Sequence, residues 1–331
     1  MTPNILQVRG LDVHYVTPDA VVPACRDVDL DVEENSILGI AGESGSGKST
    51  LLSAIVRLQR PPATTVAGSV IFAAETGAVD LMTIDDKELR GLRWSEISVV
   101  FQSAMDALNP VMRLGSQFVD VLRTHDPSLS KSAAATRAKE LLSMVGISAD
   151  RFRSYPFEMS GGQRQRASIA LALACDPRLV VMDEPTTAVD VVMQRTILSQ
   201  ILKLKDALGF SVVFVTHDLT LLLEFADKVA IMYNGRVVEL ASAQQIYDHP
   251  MHPYTRGLKD SFPPLRSQIG KFNGIAGSPP DPREPIQGCA FGPRCPVAFD
   301  RCSVERPELR AAAKHPGVVA CHLYATTRTS P

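Results

Sequence analysis

The stretch Gly42-Glu43-Ser44-Gly45-Ser46-Gly47-Lys48-Ser49 fits the phosphate-loop pattern G-x-x-x-x-G-K-[ST] and decides the fold expected of this chain. The apolar run Ile37-Leu38-Gly39-Ile40-Ala41 leads into it and predicts a buried strand, and a helix is expected over 49–58. Between such elements the glycines let backbone N–H groups turn inward around phosphate oxygens, and the helix points its positive end at them. The stretch therefore predicts a nucleoside triphosphate site.

Within this site Lys48 is expected to reach the β- and γ-phosphates and Ser49 to ligate Mg²⁺. Far downstream, an apolar strand over 179–182 ends in Asp183 and Glu184. Asp183 is expected to hold Mg²⁺, directly or through water, and Glu184 to polarise the attacking water as general base. Two acids after an apolar run are common alone, so this prediction depends on the phosphate loop. The loop residues expected to contact ATP are Gly42, Ser44, Gly45, Ser46, Gly47, Lys48, Ser49 and Thr50.

The pattern of the remaining chain predicts an α/β architecture. Four-residue apolar runs over 179–182 and 212–215 suit central strands of a parallel sheet covered by helices on both faces. Asn234-Gly235, between two apolar runs, is a strong hairpin signal. Further strands are expected over 5–15, 28–32, 69–72 and 97–101, and helices over 117–123, 134–145 and 161–174.

The bulk composition is that of an ordinary globular protein. The 331 residues carry a formal net charge of −2, with 45% hydrophobic and 21% charged residues, so there is no basic footprint for nucleic acid. No apolar run reaches the roughly 18 residues that a spanning helix needs, and the first residues lack the pattern of a secretory signal. We therefore expect a cytosolic protein that acts at a membrane only through a partner.

A second glycine-rich segment identifies the kind of ATPase. Ser160-Gly161-Gly162-Gln163, followed by Arg164-Gln165-Arg166, resembles the signature motif of ABC-type ATPases, with Met159 where that family usually has Leu. The resemblance extends from residue 5 to about residue 250, and the motifs come in the family's order. It implies a RecA-like P-loop core with an antiparallel β subdomain and an inserted helical subdomain at about 104–172.

The same resemblance implies roles for other residues. Tyr15 matches the aromatic residue that stacks on adenine, and Gln102 the glutamine that touches Mg²⁺ and links the site to membrane subunits. His217 matches the histidine that contacts the γ-phosphate, and Thr187-Ala188-Val189-Asp190 resembles the loop that crosses to the partner's site. Taken alone, Tyr15 would be an exposed strand aromatic and His217 a packed or capping histidine.

The signature motif also implies a second ATPase subunit. In this family the motif and its helix N-terminus close over the nucleotide held by another ATPase domain. One phosphate loop and one signature make two half-sites, so this chain needs a partner to complete either. The resemblance favours a paralogue over a second copy. The residues expected at the partner's ATP are Ser160, Gly161, Gly162, Gln163 and Asp190.

The composition shifts from His249 onward, where proline becomes frequent and four of the six cysteines follow, spaced C-x5-C-x6-C-x18-C. In a cytosolic chain, clustered cysteines favour a metal over a disulfide. Zinc sites usually contain a C-x2-C pair, which this sequence lacks, whereas four thiolates can equally hold a [4Fe–4S] cluster. The candidate ligands are Cys289, Cys295, Cys302 and Cys321.

The tail resembles that of oligopeptide/dipeptide permease ATPases, a subfamily that also serves nickel and some oligosaccharide importers. The resemblance rests on His252-Pro253-Tyr254-Thr255 and Cys289-Ala290-Phe291-Gly292-Pro293-Arg294-Cys295-Pro296. Members with all four cysteines are associated with a [4Fe–4S] cluster, which the resemblance implies here, with Zn²⁺ or no metal as the alternatives. We expect an ABC nucleotide-binding domain over 1–250 and a loop-rich extension over 251–331, where the cluster replaces a missing apolar core.

The resemblance implies an ATPase subunit of an importer, with peptides as the expected cargo and nickel or an oligosaccharide as alternatives. Its partners would be a second ATPase subunit, two transmembrane permease subunits with coupling helices near Gln102, and an extracytoplasmic substrate-binding protein. The chain would lie at the cytoplasmic face of the membrane, without nucleic acid. A soluble ABC switch usually has two cassettes or a long coiled-coil insertion, which this sequence lacks. A redox sensor that gates the ATPase through its cysteines is a further alternative.

Overall fold

The structure is a computed structural model that describes residues 3–102, 107–186, 190–261, 274–312 and 315–324. Its strands are β1 (Asn4–Val16), β2 (Val21–Glu33), β3 (Ile37–Ala41), β4 (Ala63–Ala74), β5 (Gly77–Asp80), β6 (Ile97–Val100), β7 (Leu179–Asp183), β8 (Ser211–Val215), β9 (Lys228–Tyr233), β10 (Arg236–Ser242), β11 (Arg310–Ala311) and β12 (Val318–Val319). Its α-helices are α1 (Lys48–Ile55), α2 (Asp86–Leu92), α3 (Leu114–His125), α4 (Lys131–Met144), α5 (Gly161–Ala172), α6 (Val191–Leu208), α7 (Leu219–Phe225), α8 (Ala243–Asp248), α9 (Pro253–Ser261) and α10 (Asp300–Val304).

The chain divides into two compact units. The first unit comprises Met1–Ile5, Val32–Ser36 and Phe72–Phe214. Its sheet has the strand order β8-β7-β6, and β6 and β7 run parallel with Val100 opposite Met182. Four consecutive residues of β7, 179–182, are fully buried. Such unbroken burial is expected of a parallel strand covered on both faces, as its apolar sequence predicted.

The first unit also carries a layer of helices, in which α3 packs on α4 and α4 packs on α5. Helix α3 buries Leu114, Phe118 and Leu122, a spacing that forms one apolar stripe. Helix α4 begins after Ser130, whose hydroxyl accepts the Ala133 N–H. The lower limit of the predicted helical subdomain, near residue 104, lies outside the described residues.

The second unit comprises Leu6–Asp31, Ile37–Ile71 and Val215–Pro331. One of its sheets has the order β11-β12-β10-β9-β3, and in another β1 lies between β2 and β4. Strand β3 is parallel to β9, whereas β9 and β10 form an antiparallel hairpin. At its turn Asn234 and Gly235 have φ of 46° and 77°, the left-handed pair that a two-residue hairpin loop favours, so the hairpin predicted from the sequence is present.

Two local features differ from the prediction. Helix α1 ends at Ile55 rather than near residue 58, because Arg57 adopts a left-handed φ of 51° that an α-helix cannot contain. The long helix α6 was not predicted, although Asp190 caps its start and Gly209, with φ of 74°, follows its end. Both are ordinary helix boundary signals.

The described region after residue 250 combines loops with short regular elements, among them α9, α10, β11 and β12. Strand β12 pairs with β10, with Val319 opposite Glu239. Met251, Ala312 and Val319 form a small buried cluster. Two-residue strands show no periodicity, so the pattern of the sequence could not reveal them.

No helix in the described ranges is both long and apolar enough to cross a membrane.

Candidate functional site

The phosphate loop connects β3 to α1 along a path that requires glycine. Gly47 has a φ of 100°, and a Cβ on it would lie 2.3 Å from the carbonyl oxygen of Ala24. A Cβ on Gly42 would lie 2.3 Å from the carbonyl oxygen of Met232. Neither backbone oxygen can move aside as a flexible side chain would, so a larger residue would displace the loop. The two glycines therefore allow the loop to lie close to its neighbouring strands.

The lysine of the loop lies inside its curve. Lys48 is 5% exposed, and its Nζ donates to the carbonyl oxygens of Gly42 and Glu43 at 2.8 and 2.9 Å. Ser46 and Lys48 are buried, whereas Ser44, Gly45 and Ser49 are exposed. A buried ammonium within a loop that also exposes small residues is expected where the loop binds an anionic group.

Tyr15 and His217 belong to the same unit as this loop. Tyr15, near the end of β1, has its Oη 3.0 Å from Oγ1 of Thr50 in α1, so a hydrogen bond holds the hydroxyl group of the ring. His217 is exposed and follows the buried Thr216, whose hydroxyl accepts the Asp218 N–H at 3.1 Å. Asp218 in turn caps α7. The histidine thus lies in a fixed turn between a strand and a helix.

The acid pair lies in the first unit, at the end of β7. Gln102 Nε2 donates to Glu184 Oε2 at 3.1 Å. The register explains this contact, because Val100 pairs with Met182 in the adjacent strands β6 and β7, and Gln102 and Glu184 each lie two residues beyond that pair, just after the strands end. Asp183 is half-buried, and Glu184 has a left-handed φ of 43°, an uncommon conformation for this residue type. The structure therefore brings Gln102 and Glu184 together.

The signature segment forms the start of α5, also in the first unit. Ser160 Oγ accepts the Gln163 N–H at 3.3 Å, and Gln163 Oε1 accepts the Ser160 N–H at 3.0 Å. This reciprocal capping box defines the N-terminus of the helix, which begins after an exposed serine. A Cβ on Gly162 would lie 2.9 Å from Sδ of Met193, whose N–H is bound by Asp190 at 2.9 Å. Asp190 and the signature helix are thus joined through Met193.

The loop predicted to cross to a partner is described only in part, because Thr187, Ala188 and Val189 lie outside the described residues.

The four cysteines of the tail line one small cavity in the second unit. The Cys289 N–H donates to the Cys302 carbonyl at 2.8 Å, and all four side chains are half-buried. Burial raises the pKa of Cys289 and Cys295, and that of Cys321 to about 11. Among the described residues, no three His, Cys, Asp or Glu side chains are gathered as a metal ion requires.

Within the second unit the tail contacts the phosphate loop, a contact that the sequence did not predict. Arg294 donates to both carboxylate oxygens of Glu43, at 2.7 and 3.0 Å. Tyr254 Oη accepts the Glu43 N–H at 2.8 Å. The only signal in the sequence was the position of Arg294 and Tyr254 within the two tail segments, and nothing there indicates Glu43 as their partner.

The first unit has a wide groove beside Gln102, with a volume of about 460 Å³. Its wall includes Phe101, which is 47% exposed, and Met112. Val111, next to Met112, is 80% exposed. Large exposed apolar side chains beside a groove commonly mark a site of protein contact.

Comparison with known proteins agrees with this architecture. The ABC transporter family model matches residues 25–187, and the model of the oligopeptide/dipeptide transporter C-terminal region matches residues 238–302. The solved ATP-binding cassette MJ0796, in a dimeric post-hydrolysis state with ADP and Pi, has a TM-score of 0.64 and 28% identity, covering 72% of this chain and 98% of that chain. Fold and site therefore define an ABC-type ATPase, and the predicted α/β fold with a RecA-like P-loop core is confirmed.

Similar proteins indicate which family of ABC-type ATPases the chain belongs to. The chain is 39% identical over 322 residues to the dipeptide transport ATP-binding protein DppD of Caldanaerobacter subterraneus subsp. tengcongensis, covering 97% of each chain. It is also 39% identical over 324 residues to the oligopeptide transport ATP-binding protein AppD of Bacillus subtilis, again covering 97% of each. The chain belongs to the oligopeptide/dipeptide family of ABC transporter ATP-binding subunits. Its activity is ATP hydrolysis coupled to transport.

Proposed function

We propose that this chain powers an importer whose cargo is a di- or oligopeptide. One observation carries the proposal: the cassette is followed by the C-terminal region of oligopeptide/dipeptide transporters. The relatives DppD and AppD are named for dipeptide and oligopeptide transport. Cells lacking this chain are expected to lose uptake of a labelled dipeptide or oligopeptide and to regain it with the wild-type chain. Loss of nickel or oligosaccharide uptake instead would reassign the cargo.

In the proposed reaction, Lys48 binds the β- and γ-phosphates and Tyr15 stacks on adenine, with backbone N–H groups of the phosphate loop holding the remaining oxygens. Mg²⁺, which neutralises charge on the phosphates when bound, would be held by Ser49, Gln102 and Asp183. The buried ammonium of Lys48 suits the phosphates, and hydroxyl, amide and carboxylate oxygens are the ligand types that Mg²⁺ prefers. The remaining loop contacts are those of Gly42, Ser44, Gly45, Ser46, Gly47 and Thr50.

Glu184 is proposed as the general base and His217 as the residue that contacts the γ-phosphate. The Gln102 amide, which donates to Glu184, would orient that carboxylate toward the attacking water. In the assembled complex, Glu184→Gln is expected to slow ATP hydrolysis by about 10²–10⁴-fold, the usual contribution of a general base. The matched control is Glu75→Gln, which changes an exposed glutamate. Hydrolysis by Glu184→Gln at the wild-type rate would refute this role.

A second ATPase subunit would complete the site. We propose that the Ser160-Gly161-Gly162-Gln163 segment and Asp190 contact ATP held by a partner subunit. The N-terminus of α5 begins at the exposed Ser160 and is therefore accessible to such a ligand. The dimeric state of the similar MJ0796 cassette supports this. With Mg·ATP, Glu184→Gln should form a dimer in gel filtration that Ser160→Arg abolishes. Dimers of this chain alone would favour a second copy, and dimers formed only with another subunit would favour a paralogue.

We propose that the groove beside Gln102 receives a coupling helix of a transmembrane permease subunit. Its exposed apolar wall supports this, and two such subunits would hold the chain at the cytoplasmic face of the membrane, with an extracytoplasmic binding protein delivering cargo. The permease subunits should co-purify in detergent with the wild-type chain and be lost with Val111→Asp. The exposed Val304→Asp is the control. Purification without membrane subunits would favour a soluble ABC switch.

For the cysteine cavity we propose a [4Fe–4S] cluster held by Cys289, Cys295, Cys302 and Cys321. The donor set supports it, because four thiols line one cavity and thiolates are the usual ligands of such clusters. Its function would be to stabilise the proposed extension over 251–331 beside the domain over 1–250. Anaerobically purified chain should contain iron and absorb visible light, and Cys295→Ser should lose both, unlike Cys175→Ser. Zinc without colour would favour the alternative metal, and ATPase activity that follows cluster redox state would favour a sensor.

A further inference from the structure

We propose that Arg294 of the tail is a positioning residue of the phosphate loop, which holds and neutralises Glu43 so that the loop can bind Mg·ATP. The proposal rests on the proposed ATP site around Lys48. It assigns the tail a direct part in nucleotide binding, in addition to any part in binding a metal.

The contact is a paired ionic one between two residues that are far apart in sequence. Arg294 Nη1 donates to Glu43 Oε2 at 2.7 Å, and Nη2 donates to Glu43 Oε1 at 3.0 Å. The Arg294 side chain is 5% exposed and that of Glu43 is 27% exposed. Two parallel bonds between a guanidinium and a carboxylate define orientation as well as distance. The pair therefore fixes where the acidic side chain of the loop points.

The surroundings of Arg294 hold its guanidinium through further hydrogen bonds and ring contacts. Its Nε donates to the Ala276 carbonyl at 2.9 Å, and Nη1 also donates to Tyr233 Oη at 3.3 Å. The rings of Tyr233 and Phe291 lie 5.9 and 6.0 Å from Cζ, within the range of cation–π attraction. The hydrogen bonds to Glu43 raise the pKa of Arg294. This side chain is thus a rigid, permanently charged support.

The tail holds the backbone of the same loop residue as well. The N–H of Glu43 donates to Tyr254 Oη at 2.8 Å, and the Tyr254 ring lies 4.6 Å from that of Tyr233. The carbonyl of Glu43, on its other side, accepts from Lys48. A residue held at its N–H, its carbonyl and its carboxylate cannot reorient without breaking several bonds. Arg294 and Tyr254 therefore pre-organise the first turn of the loop.

The charge of Glu43 gives Arg294 a second effect. A carboxylate within the loop that binds a triphosphate would repel it, and the guanidinium cancels that charge at 2.7–3.0 Å. Arg294 also ends the short 3₁₀ turn Gly292–Arg294, directly before Cys295. Whatever holds Cys295 in place thus also holds the backbone from which this arginine extends.

The experiment measures Mg·ATP binding by calorimetry on the full-length chain, and steady-state KM and kcat for ATP in the assembled complex. Arg294→Gln is expected to weaken binding about tenfold, about 1.4 kcal/mol, and to raise KM for ATP more than it lowers kcat. The double variant Arg294→Gln/Glu43→Gln should recover most of that loss, since it removes the uncancelled charge. Arg294→Lys, which keeps the charge but not the paired geometry, should lie between. The matched control Arg283→Gln, an exposed arginine paired with Asp281, should bind as wild type.

Two outcomes would overturn the proposal. Wild-type affinity in Arg294→Gln would exclude any effect on the loop. A double variant as weak as Arg294→Gln would show that Arg294 acts through packing alone, and a circular dichroism melt compared with wild type excludes misfolding as the reason. Lys48→Ala separates this proposal from the ATP site on which it rests. If Lys48→Ala retains affinity, the proposed site itself is wrong.

Discussion

The buried carboxylate of Glu239 offers a sharp test of how the tail is attached. Glu239 lies in β10 and is completely buried. Its carboxylate oxygens accept hydrogen bonds from the N–H groups of Met251 and His252 at 2.7 and 2.8 Å. These two residues directly precede α9, which carries Tyr254. Glu239→Ala would therefore leave two buried N–H groups without an acceptor, at the point where the tail begins.

The magnitude follows from those two bonds. A buried N–H that loses its partner costs about 1–3 kcal/mol, so Glu239→Ala should lower the free energy of unfolding by about 4 kcal/mol. Glu239→Gln keeps one acceptor oxygen and removes a carboxylate whose pKa is raised by burial, so its cost should be about 2 kcal/mol or less. The order of the two variants is thus as informative as their size.

The assay is equilibrium urea unfolding of the full-length chain, followed by far-UV circular dichroism. Mg·ATP affinity is measured in parallel, because Tyr254 contacts the phosphate loop. Glu284→Ala, an exposed glutamate of the tail, should leave both quantities unchanged. The reasoning would be refuted by wild-type stability in Glu239→Ala, or by equal losses in the alanine and glutamine variants.

Three further variants test other parts of the structure. Burial lowers the pKa of His252 from 6.5 to about 3, so as the pH falls His252 is protonated in the unfolded chain before it is protonated in the folded one. The free energy of unfolding should therefore fall by about 1.4 kcal/mol from pH 7.5 to pH 5.5, a decline that urea titrations of His252→Gln should lack. Gly47→Ala should abolish Mg·ATP binding in calorimetry, because its Cβ would meet the Ala24 carbonyl at 2.3 Å; measurable affinity would contradict the required loop path. Gly115→Ala should lower the unfolding free energy by about 1–3 kcal/mol, since its Cβ would lie 2.4 Å from the Phe152 ring; an unchanged urea midpoint would show that the ring moves aside.

Elements with a local cause were predictable from the sequence. The hairpin at Asn234 and Gly235 needs two left-handed residues in succession, and the buried strand β7 needs an unbroken apolar run. Helix α6 was equally local and was missed, although Asp190 and Gly209 bracket it. The end of α1 was misplaced because a left-handed Arg57 has no signature in its residue type.

The candidate site was predictable only as separate pieces. The contact between Gln102 and Glu184 depends on the register of β6 and β7, which pairs Val100 with Met182. Two apolar runs indicate that both strands exist, but the register comes from packing of the whole sheet. Proximity of the four cysteines likewise depends on how loops fold back, which spacing alone does not specify.

The sequence by itself determined the phosphate loop, its class of ATPase and the family of the tail, because these depend on contiguous residues whose geometry is local. Only the tertiary structure decided that Arg294 and Tyr254 hold Glu43. Arg294 is 251 positions from Glu43 and Tyr254 is 211, and an ion pair or a hydrogen bond leaves no periodic trace along the chain. Their meeting depends on the folded path between them, in which β9, α9 and the Gly292–Arg294 turn bring three distant segments to one point.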